Sequence, residues 1–154
     1  MLAIFDSVDD TKIVGKAIVG EIIDNLKEIV ASDSGRKVLM YLMSQRNTTY
    51  FHPQIIEILK QGDNNAHTKK PFSTRAGELR AVLSPQLVKY VVNNLSNMMF
   101  VNAESIFLTC VLNHSEGSQP ALEQLAEEAC KPFAKELDQN LVESSGKDFL
   151  SKPF

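Results

Sequence analysis

The side chains best suited to chemistry in this chain are basic. Arg36 and Lys37 stand side by side in Ser34-Gly35-Arg36-Lys37-Val38-Leu39-Met40-Tyr41-Leu42, and Lys69, Lys70, Arg75 and Arg80 follow in one polar stretch. A guanidinium grips a phosphate through two parallel N–H bonds, whereas an ammonium acts as a point charge. From Arg36 to Arg80 eight basic residues face three acids (Glu57, Asp63, Glu78), a local balance of +5 in a chain whose net charge is −3. From Ser84 onward five basic residues meet nine acids. A positive centre beside an acidic end fits phosphate binding in one region only. The competing reading is a set of solvated helix faces.

Other chemistries find less support. Cys110 and His114 stand four apart, a spacing that puts both on one helical face. A structural metal needs about four ligands, and neither His52, His67 nor Cys130 supplies a second pair nearby. The same two residues lack a neighbouring carboxylate that would orient a nucleophile and its base. Asp9 and Asp10 read as helix caps, and Gly15 and Gly20 share one helix and do not form a phosphate loop. The expectation is a protein that is not an enzyme, with no catalytic residue, metal, cofactor or small-molecule substrate. Two cysteines among 154 residues do not make a disulfide framework; both read as reduced, buried and intracellular. The acidic run Glu123, Glu127, Glu128 reads as a solvent-facing surface, or else as a dock for a basic partner.

The elements that must position these groups are helical. A length of 154 residues suits one domain, and 44% apolar and 23% charged residues are ordinary for a globular chain. No apolar run approaches 18 residues, which argues against a membrane span, and Met1 to Asp10 lacks the basic start and apolar core of a signal peptide. Ile13, Val14, Ala17, Ile18, Ile22 and Ile23 predict a helix from Thr11, capped by Asp9 or Asp10 and broken near Asp24-Asn25. A short helix from Leu26 to Ala31 follows. Asp33 or Ser34 then caps a helix to Met43, with Val38, Leu39, Tyr41 and Leu42 inward and Arg36, Lys37 and Met40 near the other side. Pro53 opens a helix that Gly62 ends. Thr74 to Leu83 predicts a helix, and Ser84-Pro85 reads as the cap and first position of a separate one reaching Leu95. Asn102 to Asn113 is the next. Pro120 starts another, with Leu122, Leu125, Ala126 and Ala129 on one face, and Pro132 kinks or restarts it. No segment alternates as a strand would. The fold class expected is all-α.

Three of these helices echo one another. The Ser34 segment has a degenerate copy in Ala103-Glu104-Ser105-Ile106-Phe107-Leu108-Thr109-Cys110-Val111 and a shortened one in Ser145-Gly146-Lys147-Asp148-Phe149-Leu150-Ser151-Lys152-Pro153. Gly35, Glu104 and Gly146 lie 69 and 42 residues apart, about three repeats of about 37 residues in all. The expected organisation is one array, residues 1–154, with repeat helices near 34–43, 102–113 and 145–152 and an insertion over 63–83. The insertion carries Lys69, Lys70, Arg75 and Arg80, read as a second basic contact or, alternatively, as a solvated loop and surface helix. Both ends fall inside repeats, which suggests part of a longer solenoid.

Phe5-Asp6-Ser7-Val8-Asp9-Asp10-Thr11-Lys12, the Ser34 to Leu42 segment and Gly62-Asp63-Asn64-Asn65-Ala66-His67-Thr68-Lys69-Lys70 resemble the C-terminal half of the Penguin-type Pumilio-like proteins, the Puf-A family. The resemblance runs from Ala3 to Leu112 and thins beyond Gly117. It implies an α-α superhelix of Puf or armadillo-like repeats, nuclear and nucleolar location, binding of RNA and also DNA with little sequence preference, and a role in ribosome biogenesis, rRNA processing or translational control. In sequence-reading Puf repeats, side chains at helix positions one and five hydrogen-bond a base edge and the one at position two stacks. Here those positions carry Arg36, Met40 and Lys37; then Ser105, Thr109 and Ile106; then Lys147, Ser151 and Asp148. No set is a complete reader, so Arg36 and Lys37 suit phosphates, contacts that position a strand without specifying it. The nucleic-acid-binding residues expected are Arg36, Lys37, Lys69, Lys70, Arg75 and Arg80. The alternative function is a scaffold that docks pre-ribosomal proteins without touching RNA.

Overall fold

The computed structural model describes residues 1–63 and 69–131. Among these residues every regular element is a helix: α1 (Leu2–Ser7), α2 (Thr11–Val14), a π-helical turn (Gly15–Val19), α3 (Gly20–Asp24), α4 (Leu26–Ala31), α5 (Asp33–Met43), α6 (Pro53–Lys60), α7 (Phe72–Met98) and α8 (Asn102–His114). Residues 119–131 are helical as well. The Pro132 break and the third repeat helix near 145–152, with Lys147, Asp148 and Ser151, lie outside the described residues.

Local chemistry accounts for most boundaries. The Asp10 carboxylate accepts the Ile13 N–H at 3.0 Å and so caps α2. The π turn falls where Gly15 and Gly20 lower helix propensity, and the segment stays helical on either side of it. Asn25 ends α3. The N-cap of α5 is Ser32, whose hydroxyl accepts the Gly35 N–H at 3.4 Å. Asp33, expected as a cap, instead occupies the first turn, where its charge complements the helix dipole. Pro53 stands at the first position of α6, and the Nδ1 of His52 accepts the Gln54 N–H at 3.3 Å.

Two helices differ from the sequence expectation. Helix α1 goes unread in the sequence, yet it seats Phe5 in the core, fully buried. Ser84-Pro85 does not start a helix: α7 runs through it for 27 residues. Leu79, Leu83, Leu87, Val91, Leu95 and Met98 form one buried stripe along α7. An interior proline costs about 3 kcal/mol, and burying a side chain of this size returns about 1.5–3 kcal/mol each, so the stripe wins.

The core joins α5, α7 and α8, which pack on one another, and α1 lies against α7 and α5. Tyr41 meets Phe51 edge to face, ring centres 5.2 Å apart. Cys110 is buried there, and burial pushes its thiol up to about 12. Cys130 is exposed, against the expectation that both cysteines are covered. Among the described residues no helix is long and apolar enough to cross a membrane.

Candidate nucleic-acid interface

Helix α5 approaches the end of α4 closely. A Cβ at Gly35 would overlap the Ile29 carbonyl oxygen and lie 2.8 Å from its carbon. This approach puts Arg36 over the last turn of α4, where carbonyls lack intrahelical donors. Its Nη1 donates to the Val30 carbonyl at 2.6 Å, its Nη2 pairs with Asp33, and the residue is 9% exposed. The outward placement expected for Arg36 is therefore corrected: closing α4 turns it inward. Met40 is buried too, 8% exposed. Of the three reader positions on α5, only Lys37 faces solvent.

On α8 the corresponding residues lie toward the outside, but their hydroxyls are engaged. Ser105 donates to the Asn102 carbonyl and Thr109 to the Ser105 carbonyl, each at 2.8 Å, while Ile106 is exposed. At the end of α8 the His114 Nδ1 lies 2.9 Å from the Cys110 carbonyl and its Nε2 lies 3.0 Å from the Ser44 hydroxyl. A carbonyl only accepts, so the network assigns the proton to Nδ1 and lets Nε2 accept from Ser44. Both ring nitrogens are thus occupied, and the Cys110–His114 spacing serves the helix end.

The insertion is tied to the N-terminus. Arg75 is 1% exposed; its Nη1 meets Asp9 at 2.9 Å and the Lys70 carbonyl at 2.6 Å, and its Nη2 meets the Asp6 carbonyl at 2.7 Å. This corrects its expected role as a surface contact: the two terminal nitrogens of the guanidinium find three acceptors within the fold. The Lys70 ammonium bonds Glu78 at 2.8 Å and Thr11 at 3.1 Å. The backbone N–H groups of Lys69 and Lys70, in that order, hold the Asp9 carboxyl below the usual range, with help from Arg75. Glu78 is lowered first by Lys70 and then by Thr11.

The sequence reading missed the centre of this network. Arg46 donates from Nε to Asp6 at 2.9 Å and from Nη1 to Asp63 at 2.6 Å, and its guanidinium lies 3.9 Å from the Phe72 ring centre. The Tyr41 hydroxyl donates to Asp6 at 2.6 Å. Arg46 has a positive φ of 58°, a conformation disfavoured for a residue with a Cβ; bonds to two carboxylates and a ring hold it there. Burial, then the Asp6 carboxylate, raises the Tyr41 hydroxyl well above its ordinary value, and the bond to Asp63 raises Arg46. The partners are 40 and 17 residues from Arg46, so no local pattern links them.

The six expected residues thus divide. Lys37, Lys69 and Arg80 are exposed, whereas Arg36, Lys70 and Arg75 bond within the fold. Arg80 lines a cavity of about 280 Å³ with Ser84, Pro85, His114 and Glu116. Two exposed lysines outside the expected set, Lys12 and Lys16, line a groove of about 460 Å³ with Gly15, Glu78 and Val82. Their four-residue spacing was legible in the sequence.

The profile of the CPL (NUC119) domain family matches residues 31–153. The chain belongs to this family, in its Penguin-type Puf-A branch. Relatives of this Puf-A chain include Pumilio homolog 3 of Danio rerio, 37% identical over 86% of the chain and 21% of the relative. Pumilio homolog 3 of Mus musculus is 39% identical over 82% and 20%, and Protein penguin of Drosophila melanogaster 25% identical over 86% and 18%. The chain spans about a fifth of the length of these relatives. A crystal structure of human Puf-A and one of human Puf-A in complex with DNA each superpose with a TM-score of 0.74 at 39% identity, over 77% of this chain and 23% and 24% of theirs.

Proposed function

We propose that this chain is a nucleic-acid-binding portion of a Puf-A-type helical array, holding RNA, and also DNA, through phosphates with little sequence preference. The observation that carries the reading is its likeness, over 77% of its length, to human Puf-A, a protein crystallised in complex with DNA. The geometry supports phosphate contact over base reading: Arg36 and Met40 are in the core, and Ser105 and Thr109 bond their own helix. Lys37, Lys69 and Arg80, with Lys12 and Lys16, supply the free charge; Lys70 adds charge shared with Glu78; Arg36 and Arg75 hold the surface in shape. The chain is a binding module and not an enzyme. On this reading it works in the nucleus and nucleolus, in ribosome biogenesis or rRNA processing, and its acidic end, where Glu123 and Glu127 are exposed, suits basic pre-ribosomal proteins.

Titration of the chain against unrelated RNA and DNA oligonucleotides at several salt concentrations tests this. Phosphate contacts make log K fall linearly with log salt, by about 0.7 per contact for single strands. The expected result is a slope worth several contacts and affinities within about a hundredfold, roughly 2.7 kcal/mol, across sequences. A flat salt dependence, or binding of basic ribosomal proteins with none of RNA, would replace this reading with the scaffold.

A further inference from the structure

The cavity beside Pro85 contains polar groups that the fold leaves without partners. Proline has no N–H, so the Ala81 carbonyl receives no bond from the residue four positions on. Ser84, on the same turn and 7% exposed, has a buried hydroxyl with no hydrogen-bond partner. Arg80 and Glu116, which line the same cavity, form no ion pair or side-chain hydrogen bond with any described residue. His114 adds ring surface, both its nitrogens being engaged elsewhere. At Gly77, also on the lining, an added Cβ would meet nothing within 4 Å, so the space is open there. Buried polar atoms are nearly always satisfied, and their exceptions call for a ligand or a physical reason.

These groups ask for two kinds of complement at once. The Ala81 carbonyl and the Glu116 carboxylate call for N–H donors, and Arg80 calls for an anion. A free phosphate would meet Glu116, and a lone cation would meet Arg80. A nucleotide within a strand carries amino donors on its base and a phosphate beside it. We propose that this cavity takes one unstacked, amino-bearing base of a bound strand, its phosphate on Arg80 and its amino group toward Ala81 and Glu116. This rests on the nucleic-acid reading above and adds to it a contact outside the reader positions of α5 and α8. One such pocket favours adenine over thymine by about tenfold, the factor equal to about 1.4 kcal/mol, so broad tolerance of sequence persists.

The test uses three short single-stranded DNAs with the same phosphates: all abasic, abasic with one adenine, and abasic with one thymine. The chain is expected to bind the adenine strand about tenfold more tightly than the other two. Gly77→Leu, which fills the opening, should erase that advantage while leaving affinity for the abasic strand unchanged and the melting temperature no lower, since leucine is the better helix former. Pro85→Ala, which returns a donor to the Ala81 carbonyl, should reduce it and serves if Gly77→Leu does not fold. Equal, salt-dependent affinity for all three strands overturns the pocket and leaves the phosphate reading standing. An adenine advantage that survives in both folded variants also overturns it. Failure to bind any strand removes both readings.

Discussion

Arg36 and Lys37 are neighbours with opposite duties, and the difference can be measured. Arg36 satisfies the Val30 carbonyl from a nearly buried position, whereas Lys37 projects into solvent. Arg36→Ala leaves that carbonyl unpaired, an expected loss of about 1–3 kcal/mol of stability, the range for a buried polar group deprived of its partner. Lys37→Glu should leave the urea midpoint within the equivalent of about 0.5 kcal/mol, as exposed substitutions do, and weaken nucleic-acid affinity. Equal loss of stability in both variants would contradict the division of roles. Arg75 belongs with Arg36, and Arg46 is the residue that no sequence argument found, since Asp6, Asp63 and Phe72 reach it only through the fold.

At the scale of elements, two helices carry features that their own sequences do not justify. The glycine of the repeated Ser-Gly-Arg-Lys segment is required by its neighbour: Gly35→Ala, favourable in an isolated helix, drives its Cβ into the Ile29 carbonyl. The expected outcome is destabilisation of about 1–3 kcal/mol, as for overpacked sites, read as a lower melting temperature. The second feature is Pro85 within α7. Replacing it with alanine removes a penalty of up to about 3 kcal/mol, so thermal denaturation should show a more stable chain. A fall in melting temperature would mean that the proline ring at position 85 is itself needed for packing α7.

Across the whole molecule, ion pairs fasten the N-terminal segment to the insertion. Asp63 is held below the ordinary carboxylate range chiefly by Arg46, Asp9 chiefly by the Lys69 N–H, and Glu78 chiefly by Lys70. A carboxyl whose folded pKa is depressed contributes stability that is fully present above its unfolded value, 3.8 for Asp and 4.5 for Glu, and is lost as pH falls through the folded value. The melting temperature should therefore be level between about pH 5 and pH 8 and decline in acid, and Asp9→Asn should make that decline shallower. A profile in Asp9→Asn with the same acid slope as the parent would show that the clasp contributes nothing to acid sensitivity.

The all-helical class was legible because apolar residues recur at three and four, as in Ile13, Val14, Ala17 and Ile18, and because Asp10 and Pro53 mark helix starts by local chemistry. The Ser34 to Leu42 segment likewise carried its kinship in its own residues. Periodicity identifies a stripe, however, and not what covers the rest of the helix. Arg36 turned inward because α4 ends beneath it, and α7 continued through Pro85 because its leucine stripe packs without interruption. The division of the basic residues into three that hold the fold and three that face solvent depended on acceptors up to 69 residues away. A charge in the sequence is the same letter in either case; only the tertiary structure brings the carbonyl or carboxylate that neutralises it.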